Sequence, residues 1–197
     1  WIAYASQSNG ALKVAKRERE TWTTEIIDVG SGLEPKTGLW TSTAINADGE
    51  PVIAYHDAVS GTLKVATRAQ DGTWATDTVF EGSDWSGTNE AGEAIERKAN
   101  VGEFARLVIN GNTQYIAFYD KAQQTLNLLE GPSGALVHTV VDDSANVGAW
   151  PSVTLANDTV TIAYQNISTQ DLMLATRNGG GSFSIDTLDD GEYAGAD

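Results

Sequence analysis

Residues 40–80 read "WTSTAINADGEPVIAYHDAVSGTLKVATRAQDGTWATDTVF" and decide the fold. Short apolar or β-branched runs alternate with the turn-forming segments "DGEP", "DAVSG" and "AQDG", which is typical of strands joined by tight turns. In "TLKVATR", Leu63 and Val65 alternate with Lys64 and Arg68, the period of two that a strand requires. The stretch therefore predicts four short antiparallel strands in succession.

The same pattern recurs four times along the 197 residues. The repeats are "WIAYASQSNGALKVAK", "VIAYHDAVSGTLKVATR", "YIAFYDKAQQTLNLLEG" and "TIAYQNISTQDLMLATR", and their anchor aromatics are separated by 51, 63 and 46 residues (Tyr4, Tyr55, Phe118 and Tyr164). A repeat of about 40–50 residues is the length of one four-stranded propeller blade. We therefore predict an all-β propeller of antiparallel blades, with about four repeat units (approximately residues 1–37, 38–99, 100–146 and 147–190).

The two ends of the chain do not complete a repeat. Trp1 already stands beside the second strand of its unit, and residues 191–197, "GEYAGAD", match the start of a further first strand. Either this segment closes a four-bladed ring or the chain is a section of a larger propeller. We favour the larger propeller, because "YAGAD" is short, contains Gly195 and ends in a charge.

Composition excludes several classes of partner and chemistry. The net charge of -15 and the pI near 4.3 argue against binding to nucleic acid or to an anionic membrane surface. The apolar runs are strand-sized, so we expect no membrane-spanning segment. The absence of cysteine excludes disulfides, a thiolate nucleophile and a cysteine zinc site. These features fit an exported bacterial protein, and we expect an extracellular, cell-surface or periplasmic location.

The second unit resembles repeats of secreted bacterial proteins with sialidase-like β-propellers related to the Asp-box repeat. It carries the forms G-x-aromatic-x-S, D-G-x-P, I-A-Y-x-D and G-x-L-x-x-A, and the other units keep them in part. "QDGTW" resembles the Asp-box turn, although one spacer is missing. The resemblance implies a fold more than an activity, because propellers carry many functions.

The repeats do not indicate a group of catalytic residues. His56 beside Asp57 suggests a proton-transfer pair, but its counterparts Ala5, Tyr119 and Gln165 show that the repeat does not require histidine there. Asp57 is interpreted as a turn residue. The resemblance implies that a sialidase would need three arginines around one carboxylate, and only Arg106, on an inner strand, could face the centre. We therefore expect no enzyme, with a sialidase-like glycoside hydrolase as the alternative.

The expected function is recognition or assembly through the loop face, with a protein or a glycan as partner. A purely structural subunit of a surface assembly and association with other chains or missing blades are the further alternatives. The long link from Glu81 to Glu103 is predicted to contain a helix over Asn89–Lys98. The predicted binding residues are the aromatics expected to ring one mouth of the channel and three others (Trp40, Phe104, Trp150 and Tyr193, with His56, Trp85 and Arg106).

A metal ion is a weaker hypothesis. Acidic residues recur where outer strands end, and their hard oxygen ligands suit Ca²⁺. The candidates are at the ends of the last two units (Asp142, Asp143, Asp189 and Asp190). No D-x-D-x-D-G loop is present, so solubility is the favoured explanation and no cofactor is expected.

Overall fold

The computed structural model describes residues 1–30, 36–89 and 91–191. Their regular structure consists of short strands in up-and-down antiparallel sheets. The first sheet has three strands, β1 (Ile2–Ala5), β2 (Leu12–Glu18) and β3 (Thr21–Asp28). The second has four, β4 (Leu39–Ile45), β5 (Pro51–Asp57), β6 (Thr62–Arg68) and β7 (Trp74–Phe80).

A two-stranded hairpin then precedes two more four-stranded sheets. The hairpin is formed by β8 (Trp85–Thr88) and β9 (Ala94–Arg97). The third sheet has β10 (Val101–Asn110), β11 (Thr113–Asp120), β12 (Thr125–Gly131) and β13 (Val137–Asp142). The fourth has β14 (Val147–Ala156), β15 (Thr159–Asn166), β16 (Leu172–Asn178) and β17 (Ser184–Asp189). The strands predicted for the second unit are thus confirmed, and we call the four sheets the first to fourth blades.

The blades pack face to face, and their apolar residues lie between them. One buried cluster joins the first blade to the second, another the second to the third, and a third the third to the fourth. Of the innermost strands β4, β10 and β14, β10 lies next to both of the others. This is a β-propeller-like arrangement, in which period-two alternation gives each blade two apolar faces.

The helix predicted over Asn89–Lys98 is wrong, because this segment contains strand β9, which pairs with β8 in a hairpin. The side chain of Asn89 accepts the backbone N–H of Glu93 at 2.9 Å, and Gly92 adopts a φ of +78° in the turn. Asn89 therefore organises a hairpin turn instead of capping a helix. The described residues contain no helix that is both long and apolar enough to cross a membrane.

Tyrosine–aspartate contacts tie neighbouring blades together. Tyr55 donates its hydroxyl to Asp28 Oδ2 of the first blade at 2.7 Å, and Lys64 pairs with the same carboxylate. Tyr164 donates to Asp142 Oδ2 of the third blade at 2.5 Å. Burial and the bonded carboxylate raise the pKa of both tyrosines, so each stays a donor.

The contact between the second and third blades has an apolar pair in place of this polar one. Phe118 stands where the other blades have tyrosine, and Phe80 stands where their partners have aspartate. The two phenylalanine rings lie 5.4 Å apart. The acidic residues at the ends of outer strands thus have a structural partner that the sequence analysis did not assign.

Candidate functional site

The start of each inner strand carries a bulge that contains an aromatic residue. The pairing of β4, β10 and β14 with their neighbours shifts register across the Gly-x-aromatic motif. The aromatic residue then has a left-handed backbone, with φ of +53° at Trp40, +58° at Phe104 and +46° at Trp150. Bulky residues seldom adopt this conformation, and such strain gathers at functional sites.

The glycine of the motif fixes the bulge against the preceding blade. Gly38 and Gly148 also have positive φ, and a Cβ on either would lie 2.7 Å from the Cα of Leu12 or Leu126. Only glycine permits both this conformation and this approach. The aromatic two residues later is therefore placed by backbone packing.

The three bulges bring their aromatic rings together. The ring of Phe104 lies 4.4 Å from that of Trp40 and 4.8 Å from that of Trp150, measured between centroids. Trp40 is 43% exposed and Trp150 is 54% exposed, whereas Phe104 between them is half-buried. We call these three residues the aromatic cluster. Of the predicted ring of four, Tyr193 lies outside the described residues.

Polar groups border the aromatic cluster on the side of the third blade. The ring of Tyr119 lies 6.3 Å from that of Phe104, and its hydroxyl donates to Asn146 Oδ1 at 2.6 Å. Burial, followed by the nearby charge of Glu103, raises the pKa of Tyr119 to about 12. Glu103 accepts from Lys121 Nζ at 3.1 Å and from Asn100 at 3.3 Å. The site is thus an exposed apolar platform beside a buried tyrosine hydroxyl, an amide and a carboxylate.

His56 is not part of this platform. It is 1% exposed, and its Nδ1 lies 2.8 Å from the carbonyl oxygen of Val101, so it ties the second blade to the third. Burial lowers the pKa of the imidazole. Asp57 accepts the backbone N–H of Val59 at 3.0 Å, which is the predicted turn role. The pair holds a strand end and its turn, and a ligand has no access to the imidazole.

Trp85 and Arg106 have local contacts. The guanidinium of Arg97 lies 3.8 Å above the ring of Trp85, and that ring also packs on Gly87, so Trp85 stabilises the β8–β9 hairpin. Arg106 is exposed on β10, and its guanidinium donates to the carbonyl of Ala105 at 2.9 Å. Neither residue joins the ring contacts of the aromatic cluster.

The predicted calcium ligands do not converge in the described ranges. No group of three or more His, Cys, Asp or Glu side chains suited to a metal ion occurs there. Asp142 instead accepts from Tyr164 and from the N–H of Ser144, the latter at 2.9 Å. Asp189 accepts the N–H of Gly191, also at 2.9 Å.

A second concave feature lies at the opposite ends of the inner strands. This cleft, of about 790 Å³, is lined by the β10–β11 and β14–β15 turns together with Glu130 and Arg177. Arg177 Nη1 donates to Glu130 Oε1 at 2.9 Å, so these two charges neutralise each other. The exposed aromatic cluster is therefore the stronger candidate for a binding site.

The strands and their packing define a β-propeller-like protein, and the chain is similar to solved structures of carbohydrate enzymes. An exo-β-1,3-galactanase from Phanerochaete chrysosporium with β-1,3-galactotriose is 12% identical with a TM-score of 0.49, and 91% of this chain covers 43% of that one. The same galactanase with galactose gives the same values. A GH43 β-1,3-galactosidase is 9% identical with a TM-score of 0.47, over 90% of this chain and 40% of the other.

These comparisons correct two expectations from the sequence. The similar structures are galactanases and a galactosidase rather than sialidase-like repeat proteins. The expectation of no enzyme is overturned by the same finding, since the galactanase and the galactosidase are both enzymes. This chain spans about two-fifths of their length. Neither a protein-family model nor a curated protein matches it.

Proposed function

We propose that this chain is part of a carbohydrate-active β-propeller and that the aromatic cluster is its sugar-contact surface. The observation that supports this most is the convergence of three aromatic residues on left-handed bulges, with both tryptophans exposed. Rigid aromatic faces give a large apolar contact area at a small loss of side-chain entropy, and tryptophan anchors dominate many binding surfaces.

The polar edge of the cluster complements the hydroxyl groups of a sugar. Asn146 and Glu103 contribute an amide and a carboxylate next to the rings. The net charge of -15 repels acidic sugars and therefore favours a neutral glycan. We expect a neutral oligosaccharide to stack on the tryptophans and to bond at this edge. An extracytoplasmic location is part of the same proposal.

Hydrolysis is the activity that we propose for the complete site. Glycoside cleavage uses two carboxyl groups, and their separation of about 5 to 9.5 Å distinguishes retention from inversion. Glu103 places one carboxylate directly before Phe104, with its side chain 15% exposed and held by Lys121. We propose Glu103 as one member of such a pair.

Binding is tested by calorimetry with neutral β-linked oligosaccharides, including β-1,3-galacto-oligosaccharides. Trp40→Ala and Trp150→Ala should each weaken binding at least about tenfold, since an aromatic anchor at a binding hot spot contributes about 2 kcal/mol or more and about 1.4 kcal/mol corresponds to a factor of ten. Trp22→Ala is the matched control, because Trp22 is 50% exposed but lies on the outer strand β3. Equal effects of all three substitutions would refute the cluster as the sugar site.

Turnover is tested on the same sugars by the release of reducing ends. Glu103→Gln keeps the size of the side chain and removes its charge, so it should abolish release while binding persists. Asp48→Asn is the control, because Asp48 is exposed in the turn between β4 and β5. Full release by Glu103→Gln would refute its assignment, and no release by the wild type on sugars that it binds would refute the hydrolytic proposal.

A further inference from the structure

The blades meet through two distinct faces that recur along the chain. The forward face of the second blade packs Ala54, Leu63 and Val65 against Ile116 and Phe118 on the rear face of the third. The same positions are buried between the other neighbouring blades. In the first blade the forward residues are Leu12 and Val14, and in the third they are Ala117, Leu126 and Leu128.

Among the described residues, the fourth blade has a forward face and the first blade has a rear face that no other blade covers. The forward face of the fourth blade carries Ala163, Leu172 and Leu174 at these positions, and all three are only half-buried. The rear face of the first blade carries Ile2 and Tyr4. Ile2 is 52% exposed, whereas its counterparts in the other blades are fully buried (Ile53, Ile116 and Ile162).

Asp189 on the fourth blade has the geometry of the aspartates that accept a tyrosine. It pairs with Leu172 in the register in which Asp28 pairs with Leu12. Its Oδ1 accepts the N–H two residues later at 2.9 Å, as Oδ1 of Asp28 does at 2.8 Å. The turn at Asp28 leaves the other carboxylate oxygen, Oδ2, to accept from Tyr55 of the next blade. Asp189 is exposed and presents the same turn at the open face.

The first blade presents the matching tyrosine and lysine. Tyr4 pairs with Lys13 across β1 and β2, as Tyr55 pairs with Lys64 across β5 and β6. Lys13 Nζ lies 6.0 Å from the centre of the Tyr4 ring, and Lys64 Nζ lies 5.7 Å from that of Tyr55. In the second blade this pair binds an aspartate, and in the first blade it faces outward.

We propose that the forward face of the fourth blade binds the rear face of the first blade of a second copy of this chain, with Asp189 accepting from Tyr4 and Lys13. The contact is head-to-tail, because the two faces differ, and it repeats the contact between the first and second blades. No buried apolar cluster joins the first and fourth blades within the described part of one chain. This inference is independent of the proposed glycan site.

Sedimentation velocity on this 20.9 kDa chain measures the association. We expect a mass that rises in multiples of this unit with concentration, at about 0.15 M salt to screen the net charge. Ile2→Glu blocks the rear face of the first blade, and Leu174→Glu blocks the forward face of the fourth. Each variant alone should be monomeric, and an equal mixture should form a dimer, because each retains the face that the other lacks.

The polar contact is tested separately from the apolar one. Tyr4→Phe and Asp189→Asn should each weaken association about tenfold or more, because each removes a hydrogen bond to a charged group. Tyr55→Phe is the matched control: it removes the equivalent bond inside the chain, so it should lower the melting temperature and leave association unchanged. The mixture experiment does not depend on these variants.

Two results would overturn the inference. One is a wild-type chain that stays monomeric across the concentration range, whether or not Asp189→Asn lowers its melting temperature. If Asp189→Asn lowered the melting temperature of a monomeric chain, Asp189 would be in contact with the first blade of the same chain. The other is a mixture of the two blocked variants that stays monomeric while the wild type associates, which would place the association on a different surface.

Discussion

Replacing Tyr164 by phenylalanine tests whether the tyrosine–aspartate contacts hold the blades together. Tyr164 is 1% exposed, and its hydroxyl donates to Asp142 Oδ2 at 2.5 Å. The substitution keeps the ring and removes one bond to a buried carboxylate, which then retains the N–H of Ser144 on its other oxygen. A hydrogen bond to a charged group contributes about 1.5–3 kcal/mol, and its loss leaves that group poorly solvated.

The free energy of unfolding is measured by urea denaturation with an unchanged m-value. For a chain of this size the expected loss corresponds to a fall of about 3–12 °C in melting temperature. Tyr4→Phe, measured at a concentration at which the chain is monomeric, should change stability by less than about 0.5 kcal/mol. A Tyr164→Phe variant that loses no more than Tyr4→Phe would refute the reasoning.

Two further perturbations test the core contacts. Burial lowers the pKa of His56 below the ordinary value of about 6.5 for histidine. The native state therefore resists its protonation, and stability present above about pH 6.5 is lost as the pH falls through the folded pKa. His56→Gln, the residue that the fourth unit carries, should flatten the dependence of the unfolding free energy on pH below about pH 6.5; an unchanged slope would contradict this. Gly148→Ala should destabilise more than Gly49→Ala in thermal melts, since both have positive φ but only Gly148 meets a neighbour, Leu126 at 2.7 Å; equal losses would show that close approach does not matter.

The repeat register made most of the fold predictable from sequence. Aligning "IAYHD" with its three copies places second strands, and "LKVA" places third strands, because period-two alternation and turn residues agree at each copy. The hairpin of residues 85–97 lies outside the repeat, so local composition alone decided its prediction. Acidic residues after Asn89 suggested a helix start, whereas the turn bonds of Asn89 and Gly92 selected strands.

The side-chain pairs that join neighbouring blades could have been predicted from the sequence but were not. Asp28 precedes Tyr55 and Asp142 precedes Tyr164, whereas Phe80 precedes Phe118, so the polar and apolar partners change together along the chain. This covariation within one sequence was the available signal. The site itself was only partly predictable: the Gly-x-aromatic motif marked Trp40, Phe104 and Trp150, but nothing in it indicates a left-handed backbone.

The three residues of the aromatic cluster share a left-handed backbone, which is strained for a bulky residue. An L-residue in the left-handed region is less stable by about 1–2 kcal/mol, and three such residues represent a sizeable share of the roughly 5–15 kcal/mol that stabilises a domain. Packing alone is a weak reason to keep this arrangement, because Trp40 and Trp150 leave 43% and 54% of their surface in water. The proposed contact with a sugar would supply a reason that burial does not.

The strain itself is measured by two substitutions at one position. Trp150→Ala and Trp150→Gly remove nearly the same side chain, but only glycine adopts a φ of +46° without strain. The glycine variant should therefore be the more stable by about 1 kcal/mol in urea denaturation. At Ser152, an exposed position on the same strand, the usual order should hold, with alanine the more stable by about 0.5–1 kcal/mol. The same order at both positions would show that residue 150 carries no strain, and the inference from strain to ligand contact would lose its basis.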